Sequence, residues 1–121
     1  MRNLPAIVCQ LAHGCEAWVV GSAAAPGADL ANVRDFDVLV PFSHWVVAAM
    51  LIPPDAKPNT FGGWKFTSFG NVIDVWPGDL AWLLTNKASK FAWHVRSGTR
   101  IGKIDETPAP PSASSDTVRV S

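Results

Sequence analysis

Asp35 and Asp37 have the clearest capacity for chemistry in this chain. They stand two apart in Arg34-Asp35-Phe36-Asp37-Val38-Leu39-Val40. Side chains alternate along a β-strand, so positions i and i+2 share a face. Two carboxylates are thereby set side by side at the start of an otherwise apolar strand. Like charges held so close are costly unless a cation neutralises them. Hard oxygen ligands of this kind suit a divalent ion. A third acid, Asp74, interrupts Val72-Ile73-Asp74-Val75-Trp76. Burying it there without a partner would cost several kcal/mol. Upstream, Ala17-Trp18-Val19-Val20 runs into Gly21-Ser22. Glycine lets the backbone approach a ligand, and Ser22 adds a hydroxyl. A helical turn beginning at Ser22 would aim its N–H groups at an anion.

Three carboxylates can bind two divalent ions, which can clamp the attacking and leaving oxygens of a phosphoryl displacement. The Gly-Ser turn supplies backbone donors for a polyphosphate. The set suits phosphoryl or nucleotidyl transfer and needs no nucleophilic side chain. A metal-dependent nuclease or phosphatase could use the same acids.

The elements that must position these groups follow from spacing. Leu4, Ile7, Val8, Leu11 and Ala12 recur with helical period, predicting a helix over 4–13 with Asn3 as its cap and Pro5 in its first turn. Residues 17–20 read as a buried strand and 36–40 as a second, ended by Pro41. Ser43 is placed to cap a helix reaching Leu51, with Trp45, Val46, Ala49 and Met50 facing the core. Pro53-Pro54 stops it, and a polar loop follows over 53–62. A hairpin joins 63–69 to 72–76 through Gly70-Asn71. Lys65 stands on the arm opposite Asp74. A helix over about 79–87 buries Leu80, Leu83 and Leu84. Two short strands flank Ser97-Gly98-Thr99 between 91 and 104. Adjacent antiparallel strands would bring the three acids to one sheet edge.

The chain has 121 residues, 48% of them apolar, which is enough for one core. Residues 1–104 form the expected domain. The Pro-, Ala- and Ser-rich segment 105–121 reads as a disordered tail. Ten acids balance ten bases, so there is no global electrostatic footprint for nucleic acid or membrane. Lys87, Lys90, Arg96, Arg100 and Lys103 form a basic run with His94, read as a solvated face before a phosphate surface. Cys9 and Cys15 fit no zinc or redox spacing and read as free thiols of a reducing cytoplasm. No run reaches the roughly 18 apolar residues of a membrane span. His13, His44 and His94 are scattered and suggest no metal cluster. A cytoplasmic protein without membrane contact is expected.

Taken together, Val20-Gly21-Ser22, Asp35-Phe36-Asp37-Val38 and Ile73-Asp74-Val75 resemble the motifs of the DNA polymerase β-like nucleotidyltransferase superfamily, in its minimal single-domain form. Arg34 before the first acid is also common in such sequences. The resemblance implies an α+β fold, a small mixed β-sheet with helices packed on one face. It implies two Mg2+ ions bound by Asp35, Asp37 and Asp74. It implies transfer of a nucleoside monophosphate from a nucleoside triphosphate to an acceptor hydroxyl, with release of pyrophosphate. Gly21 and Ser22 would hold the β and γ phosphates, with Arg34 and Lys65 on the nucleotide as well. Asp74 would accept the hydroxyl proton. The acceptor could be protein, nucleic acid or a small molecule. The loop Ala23–Ala31 is richer in Ala and Pro than the usual Gly-Arg-rich version. The alternative is an inactive module of the same fold, an antitoxin or partner-binding protein, in which the acids make structural contacts.

Overall fold

The structure, a computed structural model, describes residues 4–86 and 90–102. Lys87, Lys103, Asn3 and the expected tail lie outside the described residues. The fold is α+β: a seven-stranded mixed sheet with three helices. Helix α1 is Ala6–Gly14, β1 Trp18–Val20, β2 Asp35–Val40, α2 Trp45–Leu51, β3 Lys57–Pro58, β4 Trp64–Ser68, β5 Asn71–Pro77, α3 Leu80–Asn86, β6 Ala92–His94 and β7 Thr99–Ile101. The strand order is β3-β4-β5-β2-β1-β6-β7. Among the described strands only β2 and β5 run parallel, and they lie in the interior of the sheet. The chain between them climbs through α2 and returns by the β4–β5 hairpin, so β5 re-enters in the direction of β2.

The period-2 pattern sorts the central strands into two faces. Phe36, Val38, Val40, Ile73 and Val75 point to one face and are buried with Val8 and Leu11 of α1 and Ala48 of α2. Val20, Leu39 and Trp76 point to the other, where Leu83 and Leu84 of α3 cover them. The expectation of helices on one face is therefore corrected: α1 and α2 take one side and α3 the other. Burying apolar area on both sides of so short a sheet lets a small chain build two adjoining cores.

Several local expectations also shift. Pro5 precedes α1 in extended conformation rather than entering its first turn. Ser43 does not cap α2; it belongs to a 3-10 turn, Phe42–His44, and its hydroxyl lies 3.0 Å from His44 Nδ1. This turn sets the phase of α2, whose buried residue is Ala48, with Trp45 and Ile52 packed beside it. Val46 and Met50, expected inside, are 76% and 78% exposed, and Ala49 is exposed too. The hairpin turn is Phe69-Gly70, one residue earlier than expected, since Ser68 pairs with Asn71. Both turn residues have positive φ, 48° and 83°, as a two-residue type I′ turn requires. The polar loop over 53–62 contributes the two-residue strand β3 at one margin of the sheet, and β7 forms the other margin.

Candidate functional site

The three acids share one face in the middle of the sheet, not at its edge. Parallel register pairs Asp37 with Asp74, and Asp35 with Val72. Antiparallel register on the far side pairs Asp74 with Lys65, and Lys65 with Lys57. Opposed residues share a face, so one row crosses the strands: Lys57, Lys65, Asp74, Asp37 and then Val20 of β1. Ser22, Asp35, Asp37, Lys65 and Asp74 line one cavity of about 620 Å³. Asp55, Lys57 and Thr67, which the sequence reading did not single out, line it too.

Each acid is held differently. Asp35 is exposed at the mouth, whereas Asp37 is half-buried. Its carboxyl is raised from the usual 3.8 to about 6, first by burial and then by the charges of Asp74 and Asp35, with Lys65 opposing. Asp74 is largely shielded, its side chain 19% exposed. Lys65 Nζ lies 3.9 Å from Asp74 Oδ2, and Asn59 Nδ2 donates to Asp74 Oδ1 at 3.1 Å.

Asn59 is a residue that the sequence reading missed. Its Nδ2 also donates to the Val75 carbonyl at 3.3 Å. Its Oδ1 accepts from the backbone N–H of Gly63 at 2.8 Å and of Phe61 at 3.0 Å. One amide thus ties the β3–β4 loop to the carboxylate on β5. The local signal was an Asn followed by Gly-Gly within a few residues, an Asx-turn composition. The reach to Asp74 depends on strand register and could not be read from composition.

The Gly-Ser segment forms a 3-10 turn, Gly21–Ala24, directly after β1. Gly21 has φ 79°, and its N–H donates to the Phe91 carbonyl at 3.1 Å. That donor is spent within the protein. Ser22, exposed, is the member of the turn that lines the cavity. Arg34 is not brought to the cavity: its Nη1 donates to the carbonyls of Ala31 and Val33 in its own loop. In the basic run, Arg96 pairs with Glu16 at 2.8 Å and Arg100 stacks 4.0 Å over Trp93. None of its described cations lines the acidic cavity.

The donor chemistry fits a divalent ion. The acids are hard oxygen ligands, and Asp37, raised first by burial and then by the charges of Asp74 and Asp35, stands beside two further carboxylates. Among the described residues, however, no three His, Cys, Asp or Glu side chains are grouped as a metal centre. The carboxylates share a cavity wall without converging on one point. Cys9 and Cys15 are free, and no described helix is long and apolar enough to cross a membrane.

Compared with known proteins, the chain matches no family model, no curated protein and no solved structure.

Proposed function

We propose that this chain is a magnesium-dependent nucleotidyltransferase of the polymerase β-like kind. It would move a nucleoside monophosphate from a nucleoside triphosphate to an acceptor hydroxyl. The observation that carries this reading is the parallel pairing of β2 with β5, which sets Asp37 directly across from Asp74, with Asp35 on the same face. Asp35, Asp37 and Asp74 would hold the magnesium, two ions on the family pattern. When bound, magnesium would neutralise phosphate charge and acidify the attacking hydroxyl. Ser22 donates its hydroxyl to the phosphate tail. Lys65, which reaches Asp74 at 3.9 Å, offers its ammonium to the same tail. Asn59 fixes the orientation of Asp74, which accepts the proton of the acceptor hydroxyl. The acceptor oxygen forms a bond to the α-phosphorus. The bond to the β-phosphate oxygen breaks, and pyrophosphate leaves with the electron pair.

The test uses the full chain, magnesium, a cell extract as the source of acceptor, and nucleoside triphosphates labelled at the α or the γ position. Transfer of the α label, with the γ label released in pyrophosphate, is the expected result. Transfer of the γ label, or full transfer by Asp37→Asn, overturns the reading.

A second reading rests on a specific observation. Asp74 already has Lys65 and Asn59 as partners, and the Gly21 N–H is already engaged. These contacts suit an inactive module of the same architecture that binds a partner. Such a module shows no rise in melting temperature with magnesium and any nucleoside triphosphate, whereas the enzyme does.

A further inference from the structure

A second cavity, of about 610 Å³, adjoins the acidic one, and Asp37 lines both. Its walls are aromatic. Phe61 and Trp76 stand ring to ring, with centroids 4.9 Å apart and planes tilted by 33°. Phe42 and Trp82 add to the lining from the 3-10 turn that follows β2 and from α3. Phe42, Phe61 and Trp82 are each more than half exposed, although they face one shared hollow. The volume lies within the range of small-molecule sites.

The polar groups of this cavity are few and placed at its rim. Thr60 and Asp79 belong to it, and Asp79 Oδ1 accepts the Trp82 backbone N–H at 3.1 Å, which fixes that carboxylate. Leu39, Pro77 and Leu83 fill in between the rings, so the chamber combines flat aromatic walls with a hydroxyl and two carboxylates. It suits a planar heteroaromatic ring carrying N–H donors. The two cavities meet along β2, where Leu39 follows Asp37 by about 7 Å of strand, on the order of one pentose.

We propose that this aromatic cavity seats the base of the nucleotide whose phosphates lie against the acidic row, through stacking on Phe61 and Trp82. This assignment rests on the nucleotidyl-transfer reading for its choice of ligand, but it makes a separate demand. The ring should bind without magnesium and without phosphate.

Equilibrium dialysis of the full chain with labelled adenosine, in the absence of magnesium, tests it, with inorganic tripolyphosphate and octanoate as further probes. Adenosine is expected to bind saturably. Phe61→Ala and Trp82→Ala should each weaken it roughly 5- to 150-fold, the range of a lost base–aromatic stack. With magnesium added, tripolyphosphate affinity should stay within twofold in both variants, which also shows that they are folded. Unchanged adenosine affinity in both variants overturns the proposal. So does displacement of adenosine by octanoate at concentrations below those at which adenosine itself binds. The transfer assay separates the two readings. Labelled transfer with wild-type KM in Phe61→Ala and Trp82→Ala removes the base seat and leaves the enzyme. Stack-dependent adenosine binding without any transfer removes the enzyme and leaves the base seat.

Discussion

Asp37 holds its proton more tightly in the folded chain than in the unfolded one, because its carboxyl is raised from 3.8 to about 6. Stability from this group is full below the lower value and is lost as pH rises through the upper one. Solvent reaches Asp37 across the open cavity, so we set the effect at about 1 kcal/mol rather than the larger full conversion. Asp37→Asn removes it. In urea titrations without magnesium, the wild-type chain should lose about 1 kcal/mol relative to Asp37→Asn between pH 5 and pH 8. Parallel pH profiles for the two chains would show that neither burial nor the neighbouring acids raise Asp37. The same variant should lose transfer, so stability and activity move in opposite directions at one residue. Asn59 presents the complementary case. Removing its amide leaves the Val75 carbonyl, the Gly63 N–H and Asp74 short of a partner. Asn59→Ala should cost about 1–3 kcal/mol of unfolding free energy and reduce transfer further than stability alone accounts for. A variant as stable as wild type would remove Asn59 from the support of the site.

At the scale of elements, the β4–β5 hairpin shows what the sequence made legible and what it did not. Alternation predicted both arms, because Phe66, Ile73 and Val75 recur on one face. The turn was displaced by one residue because Gly70-Asn71 carries the stronger turn composition, while pairing of Ser68 with Asn71 puts Phe69 inside the turn. Phe69 is 97% exposed at φ 48°, so it bears left-handed strain without burying its ring. Phe69→Asn should therefore stabilise the chain by about 0.5–1 kcal/mol, read as a higher urea midpoint at unchanged m. A lower midpoint would mean that the ring contributes packing. The inner face of α2 was misread for a different reason. Trp45–Leu51 is apolar on every side, so its periodicity carries no phase, and the preceding 3-10 turn decides which residues turn inward. Gly63 was legible only as the start of a strand. A methyl group there would collide with the Val75 carbonyl oxygen, a close approach that only the assembled sheet reveals.

For the whole molecule, the pairing of distant segments was the part least accessible to sequence. The acids were recognisable from residue types and alternation. Their assembly in the middle of the sheet was not, because parallel pairing of β2 with β5 depends on the route taken by some thirty intervening residues. The expectation of helices on one face failed for a related reason. Leu83 and Leu84 announced an apolar stripe on α3 but not which side of the sheet it would meet. The two cavities follow from that choice: α3 covers the far end of the face that carries the acids and leaves the rest of it open.

Among the described residues the sheet ends at two margins, and β3, only Lys57 and Pro58, forms one of them. A proline cannot donate to a neighbouring chain, and a charged lysine resists being covered by one. This margin therefore discourages recruitment of further molecules into fibrils. Replacing Lys57 and Pro58 by valine should shorten the lag of thioflavin-positive growth at neutral pH, while leaving the monomer's circular dichroism unchanged.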